Sequence, residues 1–171
     1  AAESYLQSRG IEVENSIQNL RYAPVSIHPS GELLCAMVAL IEGSQGFAVH
    51  CTYIDLETGK KDETEPNKVM FGPTKGGAVR LVQGDGDLIV AEGIETCLSI
   101  QSGISPAPFS AWASLSTSNM RSLILPPIPS GLIIAADGDT AGRQAAYELA
   151  ARAEALGWQV TLAPAPQGQD W

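Results

Sequence analysis

Two aspartates separated by one glycine, Asp137 and Asp139, have the spacing in this sequence best suited to chemistry. An apolar run over 132–136 precedes them and predicts a buried strand, and an alanine-rich pattern over 141–156 follows and predicts a helix. Two carboxylates this close repel each other unless a helix dipole or a divalent cation offsets their charge. Oxygen ligands without neighbouring His or Cys suit Mg²⁺ or Mn²⁺ better than zinc. The pattern predicts a magnesium site on an α/β fold.

A third carboxylate, Glu92, occupies the same kind of position, between a predicted strand over 88–91 and a predicted helix. Because ligands bind beyond the carboxyl ends of parallel strands, the three acids converge if the two strands are neighbours. They could then hold one or two Mg²⁺ ions, or hold one while the third acid takes a proton. The alternative is that Glu92 is a helix-start carboxylate and that Asp139 or Thr140 only caps the following helix.

The elements that must position these acids alternate between strand and helix from residue 84 onward. Repeated βα units imply a parallel sheet with helices on its faces. Strands are predicted over 88–91, 109–113, 132–136 and 158–162, and helices over 94–102, 117–122 and 141–156. The last helix carries an apolar stripe formed by Ala145, Ala146, Leu149, Ala150, Ala153 and Leu156.

The first half of the chain predicts a different architecture. After a short helix over 2–9 and an irregular stretch to about residue 30, apolar runs and turn glycines predict an antiparallel meander. Its strands are predicted over 33–41, 47–55, 69–71 and 79–82. We therefore expect an α/β (α+β overall) fold with a small β-rich subdomain over 1–83 and a parallel-sheet domain over 84–171.

The formal net charge is −9, which disfavours nucleic-acid binding unless the basic residues are grouped. Half of the ten Lys and Arg residues do fall in one segment: Lys60, Lys61, Lys68, Lys75 and Arg80. This segment predicts either a basic strip leading into an acidic pocket or a solvated hairpin that its own acids neutralise.

Other features exclude several classes of protein. The three cysteines are isolated, so neither a disulfide framework nor a zinc ribbon is predicted, and we expect structural roles for His28 and His50. The apolar run over 33–41 is too short to span a bilayer, and no signal peptide opens the sequence. We expect a cytoplasmic protein with no membrane partner. Because the sequence starts at Ala1 without Met, we also expect a piece of a longer chain.

The acidic motifs together carry a resemblance. Glu92-Gly93 after an apolar strand, and Asp137-Gly138-Asp139 with Ala141-Gly142 later in the chain, resemble the Toprim domain of primases, topoisomerases and related nucleases. The extension over 141–146 and the element Pro166-Gln167-Gly168-Gln169-Asp170 are similar to the bacterial and phage primase branch. The resemblance covers residues 81–171, with a looser match in the β-rich region before it.

The segment over 92–96, Glu-Gly-Ile-Glu-Thr, is most similar to primases of phages and mobile elements, which are often fused to helicases. Cellular primases tend to have Tyr and Asp where Ile94 and Thr96 stand here. The resemblance assigns no role to Glu95.

The resemblance implies the catalytic core of a DNA primase, which makes short primers on single-stranded DNA from NTPs by Mg²⁺- or Mn²⁺-dependent nucleotidyl transfer. Glu92, Asp137 and Asp139 would be both catalytic residues and metal ligands, and Asp170 would bind a second ion. A helicase domain or protein would be a partner.

Three basic residues are candidates for substrate binding. For Arg143, in the first turn after the acids, the two alternatives are contact with a phosphate and a plain surface arginine. Two further candidates for guiding template or nucleotide are Lys75 and Arg80. Lys75 lies in the glycine-rich loop over 71–77, and the alternative for that loop is a simple connector.

Other functions remain possible for the same acids. A Toprim nuclease would use them for hydrolysis or strand transfer, and a non-catalytic module would bind nucleotide or a helicase. The sequence Asp137-Gly138-Asp139-Thr140 also resembles the nucleophile motif of haloacid-dehalogenase-like phosphatases. That motif requires a long domain after it, and only about thirty residues follow here.

Overall fold

The computed structural model describes residues 2–12, 17, 19–103, 108–169 and 171, which form an antiparallel sheet followed by a mostly parallel one. The strands are β1 Leu20–Ile27, β2 Leu33–Ile41, β3 Ala48–Ile54, β4 Lys68–Phe71, β5 Val79–Val82, β6 Leu88–Ala91, β7 Ser110–Ala113, β8 Gly131–Ala135 and β9 Gln159–Leu162. The helices are α1 Ala2–Ser8, α2 Ile94–Gly103, α3 Thr117–Ser122 and α4 Thr140–Ala155. The predicted fold class is confirmed.

The first sheet has the strand order β1-β2-β3-β4, with every pair antiparallel. The prediction of irregular chain up to residue 30 was wrong, because β1 forms the edge of this sheet. Pro24 lies within β1, and the register with β2 shifts between Ala23 and Ser26. Edge strands tolerate proline and bulges, and both remove the alternation by which a strand is recognised.

The predicted meander ends at β4, and its extension through β5 was wrong. Ala78 still exchanges two backbone hydrogen bonds with Glu42 of the first sheet, each 2.9 Å long. The next residues leave that sheet and pair antiparallel with β7, so β5 becomes the edge strand of the second sheet. The chain thus passes directly from one sheet to the other.

The second sheet has the order β5-β7-β6-β8-β9, and all its pairs except β5 with β7 are parallel. Strand β6 is buried along its whole length. Ala91 at its carboxyl end is level with Ala113 of β7 and with Ala135 of β8. Residues that follow these three strands therefore emerge together at one edge of the sheet.

Two hydrophobic cores cover the two faces of this sheet. One contains α1, α2 and the inner face of the first sheet, with Tyr5, Ile54 and Leu98 among its members. The other contains α3 and α4, and five of the six residues of the predicted stripe on α4 are buried in it. Leu156 was expected in that stripe but is 60% exposed, because the helix ends at Ala155. The shared first core holds the two halves of the chain together.

Within the described part of the chain, we find no helix with the length and apolar character needed to cross a membrane.

A buried amide, Asn119 of α3, fixes the glycine turn that precedes β5. Its Nδ2 donates to the carbonyl oxygens of Gly77 at 2.6 Å and Ser114 at 2.8 Å, and its Oδ1 accepts from the Gly76 amide at 2.9 Å. The side chain therefore links the turn to the end of β7.

Asn119→Ala should destabilise the protein by roughly 2–4 kcal/mol, because it leaves three buried backbone groups without their partner. Urea unfolding followed by circular dichroism measures this change. Ser118→Ala is the matched control, since Ser118 is exposed on the same helix, and its effect should stay within about 0.5 kcal/mol. An equal, small effect of both substitutions would contradict the proposed role of the Asn119 amide.

Candidate active site

Glu92 and Asp137 line a single cleft of about 500 Å³ at the carboxyl edge of the second sheet. Glu92 directly follows β6, and Asp137 follows the neighbouring strand β8 by two residues. Both side chains are partly buried. The structure thus brings together two of the acids that the sequence singles out.

Asp139 occupies a different environment, although it is only two residues from Asp137. Its side chain is exposed, and Oδ1 accepts a 2.6 Å hydrogen bond from the Gly142 amide as the N-cap of α4. Among the described residues that line the cleft, Asp139 does not appear. A helix cap is thus what the structure shows for Asp139, and its role as a metal ligand stays a prediction.

The loop that carries the aspartates is held against the segment after β9. The Gly138 amide donates to the Gln169 carbonyl at 2.8 Å, and the Gly168 amide donates to the Gly138 carbonyl at 3.1 Å. A Cβ at position 138 would overlap the Pro166 carbonyl oxygen. The glycine between the two aspartates is therefore required by close backbone packing.

Arg143 strengthens the same contact. Its guanidinium donates to the Gly138 carbonyl at 3.2 Å and to the Ala165 carbonyl at 2.9 Å. The described contacts of Arg143 therefore position the acidic loop, and phosphate binding by Arg143 stays a prediction.

The predicted second-ion ligand, Asp170, lies outside the described residues. The residue after it, Trp171, lines the cleft. Its backbone amide donates to Asp137 Oδ1 at 3.4 Å. The end of the segment after β9 therefore reaches the acid at the carboxyl end of β8.

Leu115 lines the cleft beside Glu92 in an unusual backbone conformation. Its φ is 71°, the left-handed region that a branched side chain rarely adopts, at a cost of about 1–3 kcal/mol. In this conformation its amide donates to the Glu92 carbonyl at 2.8 Å. The end of β7 thereby fixes the backbone of the acid that follows β6.

Another part of the cleft comes from the end of α1, from the first sheet and from the connection after β3, and it carries basic residues. Arg9, His50, Lys61 and Lys68 line it. Of the five basic residues in the segment over 60–80, Lys61 and Lys68 line the cleft, and a basic strip formed by the whole segment stays a prediction. The sequence did not distinguish Lys61 and Lys68 from the other basic residues there.

Glu95 also lines the cleft, although it is only 8% exposed. Its carboxylate accepts hydrogen bonds from Tyr5 Oη at 2.6 Å and Lys68 Nζ at 3.1 Å, and Lys61 Nζ lies 3.9 Å away. Burial alone would raise the pKa of Glu95, but the Lys68 ammonium and the Tyr5 hydrogen bond outweigh it and bring the pKa to about 2. Glu95 is therefore ionised at neutral pH.

His50 is also buried, and its pKa is lowered to about 4, first by desolvation and then by the Lys68 charge. Its Nδ1 has no hydrogen-bond partner in the described structure. The imidazole is therefore neutral at pH 7. His50 lines the cleft, and the structural role expected for it stays a prediction.

The other two predicted substrate-binding residues lie elsewhere. Lys75 is exposed on the glycine turn. The guanidinium carbon of Arg80 lies 4.5 Å from the centre of the Trp112 ring, a cation–π contact. Neither belongs to the described residues that line the cleft, so their binding of template or nucleotide stays a prediction.

The donor set of the cleft fits a magnesium ion. Within the described residues, no three His, Cys, Asp or Glu side chains are close enough together to enclose a metal. Mg²⁺, however, is commonly held by one or two carboxylates, with waters and substrate phosphates completing its shell. Glu92 and Asp137 on one cleft meet that requirement.

An open, mostly parallel sheet with acids at the carboxyl ends of adjacent strands defines an α/β domain whose site lies at that edge. Residues 87–171 match the family model described as the Toprim domain, and this region of the chain is a Toprim domain. Residues 1–81 match a family described as "Domain of unknown function (DUF7146)". The resemblance to the Toprim domain noted in the sequence is thus confirmed.

Solved structures of primases are similar to this chain. The Aquifex aeolicus primase, comprising its zinc-binding and RNA polymerase domains, is 18% identical with a TM-score of 0.56, over 99% of this chain and 50% of that one. A DNA primase domain from Pseudomonas aeruginosa is 20% identical with a TM-score of 0.45, over 96% and 51%. The chain spans about half the length of each. No curated protein sequence matches it.

Acid should destabilise the protein in two steps, because the folded-state pKa of each of two buried groups lies below its unfolded value. The stability from His50 is present above its ordinary pKa of 6.5 and is lost as the pH falls towards 4. That from Glu95 is present above its ordinary pKa of 4.5 and is lost as the pH falls towards 2. Each shift corresponds to about 3 kcal/mol.

The free energy of unfolding in urea, measured from pH 7.5 to 2.5, tests this expectation. His50→Gln should remove the upper step and Glu95→Gln the lower one. Glu154→Gln, at an exposed position on α4, should keep both. Two steps of unchanged size in all three variants would contradict the assignment.

Gly138→Ala should displace the loop that carries Asp137 and Asp139, because the new Cβ meets backbone atoms. We expect a loss of about 1–3 kcal/mol, typical of overpacking, together with weaker Mn²⁺ binding. Thermal unfolding and calorimetry measure the two effects. Gly103→Ala is the matched control, since a Cβ there meets no atom within 4 Å. Unchanged stability and Mn²⁺ affinity in Gly138→Ala would show that the loop accommodates the methyl group.

Proposed function

We propose that this chain is the catalytic core of a DNA primase, which synthesises short primers from NTPs on single-stranded DNA by divalent-metal-dependent nucleotidyl transfer. The observation that carries the proposal is the cleft that Glu92 and Asp137 line together with Arg9, Lys61 and Lys68. Its support from the comparisons is the Toprim family match and the fold shared with the primase structure at a TM-score of 0.56.

The acidic side of the cleft is the proposed metal site. Toprim domains generally bind divalent metal ions, and Glu92 and Asp137 would hold Mg²⁺ or Mn²⁺ here, with Asp139 and Asp170 as further predicted ligands. A bound ion supplies Lewis-acid stabilisation of the charge that develops on the transferring phosphoryl group. Glu92 is in addition the candidate acceptor of the proton that the primer 3′-hydroxyl releases.

The basic side of the cleft would bind the substrate. Lys61, Lys68 and Arg9 present positive charge to a triphosphate whose own charge is negative. Neutral His50 adds a polar side chain without adding charge. A cleft with one acidic and one basic side explains how a chain of net charge −9 could bind nucleotides and template.

The proposed role implies partners and a setting. A helicase domain or protein is the proposed partner, and the cytoplasm is the proposed location. An origin in a phage or mobile element stays a prediction from the segment over 92–96.

The proposal is tested first by Mn²⁺ binding to the full chain, measured by calorimetry and electron paramagnetic resonance. Glu92→Gln and Asp137→Asn should each weaken binding by at least about tenfold, because each removes a carboxylate ligand. Glu154→Gln removes an exposed acid outside the cleft and should bind as the wild type does. If neither Glu92→Gln nor Asp137→Asn weakens Mn²⁺ binding, the metal site lies elsewhere.

Primer synthesis is tested next, with Mg²⁺, single-stranded DNA and labelled NTPs, and with products resolved on a gel. We expect template-dependent oligonucleotides that Asp137→Asn fails to make. Cleavage of the DNA in place of synthesis would favour a nuclease. Metal binding with neither reaction would favour a binding module.

A further inference from the structure

Glu95 occupies a position that the proposed reaction does not use directly. It lies in the first turn of α2, three residues after Glu92, and connects three separate elements. Tyr5 of α1 donates to it at 2.6 Å, and Lys68 of β4 donates to Oε2 at 3.1 Å and lies equally close to Oε1. Lys61, from the connection between β3 and β4, completes the cluster at 3.9 Å.

The charges in this cluster do not balance. One carboxylate contacts two ammonium groups, whose side chains are 31% and 34% exposed and line the cleft. Burial and the neighbouring Lys68 charge both lower the pKa of Lys61, whereas Glu95 raises it. Two neighbouring lysines repel each other, and a fixed carboxylate in contact with both offsets that repulsion.

The lysines keep donors for a second anion. Each ammonium group has three N–H donors, and the carboxylate of Glu95 does not use all six. Glu92 and Asp137 line the same cleft. A phosphate chain bound in this cleft could therefore accept hydrogen bonds from both lysines.

We propose that Glu95 is a positioning residue: it holds Lys61 and Lys68 next to each other so that the pair binds the phosphates of the incoming nucleotide. This inference rests on the proposed function for the identity of the ligand. Glu95 acts through the two lysines and does not itself contact the nucleotide.

Simple electrostatics and positioning predict opposite results for Glu95→Gln. Removing a negative charge beside two lysines should strengthen phosphate binding if charge alone matters. If Glu95 positions the lysines, its loss lets them separate, and binding weakens despite the gain in net positive charge. The sign of the change therefore separates the two explanations.

The experiment titrates tripolyphosphate into the full chain in EDTA, without divalent metal, by calorimetry. We expect Glu95→Gln to raise the Kd about tenfold, the effect of losing one charge-assisted contact. Lys68→Met should also weaken binding, and Glu95→Gln should add less than about twofold in that background, because the two residues act as a unit. Glu154→Gln should bind as the wild type does.

A second measurement separates positioning from a general structural role. Mn²⁺ affinity should be unchanged in Glu95→Gln, because Glu92 and Asp137 remain in place. In primer synthesis the KM for NTP should rise about tenfold, with kcat changed less than about twofold. If Glu95→Gln does not fold, Tyr5→Phe takes its place; it removes one hydrogen bond to the carboxylate and should raise the tripolyphosphate Kd about threefold.

Tighter or unchanged tripolyphosphate binding in folded Glu95→Gln overturns the inference, as does unchanged binding in Tyr5→Phe where that variant is needed. Absence of saturable binding in the wild type overturns it too. The proposed function fails separately, if the wild type binds Mn²⁺ and tripolyphosphate but makes no primer. In that case weaker binding by Glu95→Gln still supports the positioning role.

Discussion

The register of strand β6 is the constraint on which the rest of the structure depends. Because β6 pairs in parallel with both β7 and β8, with Ala91, Ala113 and Ala135 level, three chain segments emerge at one edge. Those segments deliver Glu92, Leu115 and Asp137 to the same cleft. A shift of one residue in either pairing would turn these side chains towards the opposite face. Such a shift would also disturb both cores, because Leu88 and Val90 belong to one of them and Ile89 and Ala91 to the other.

The first sheet completes the cleft because it shares a core with helix α2. Alternate residues of β3 face that core, which places the polar side chains of His50 and Thr52 on its buried face. Polar groups are costly in such a position unless they serve a ligand or a partner. Of these two, His50 lines the cleft, whose positive charge comes from Arg9, Lys61 and Lys68. Both halves of the chain are therefore needed to form the cleft.

Local patterns predicted most of the fold and part of the site. Hydrophobic periodicity and strand-end acids were sufficient for β6, β8, α4 and the meeting of Glu92 with Asp137, because these features are encoded within a few neighbouring residues. Strand β1 was not predicted from the sequence, because Pro24 and a bulge interrupt the alternation of its apolar and polar residues. The contacts of Glu95 join residues 27 and 90 positions apart, and no local pattern encodes such pairs. The left-handed backbone of Leu115 contradicts its own propensity, so only tertiary structure could reveal it.

The shared core of α1 and α2 has a consequence for how the chain folds during synthesis. Strands β1 to β4 join neighbours in sequence, so their sheet can form as soon as it leaves the ribosome. Tyr5 and Leu6 must wait for α2, about ninety residues later, before their apolar surface is covered. At a typical rate of about 5–20 residues per second, that interval lasts for seconds. Part of the apolar surface of the amino-terminal half therefore stays uncovered until the second sheet has been synthesised.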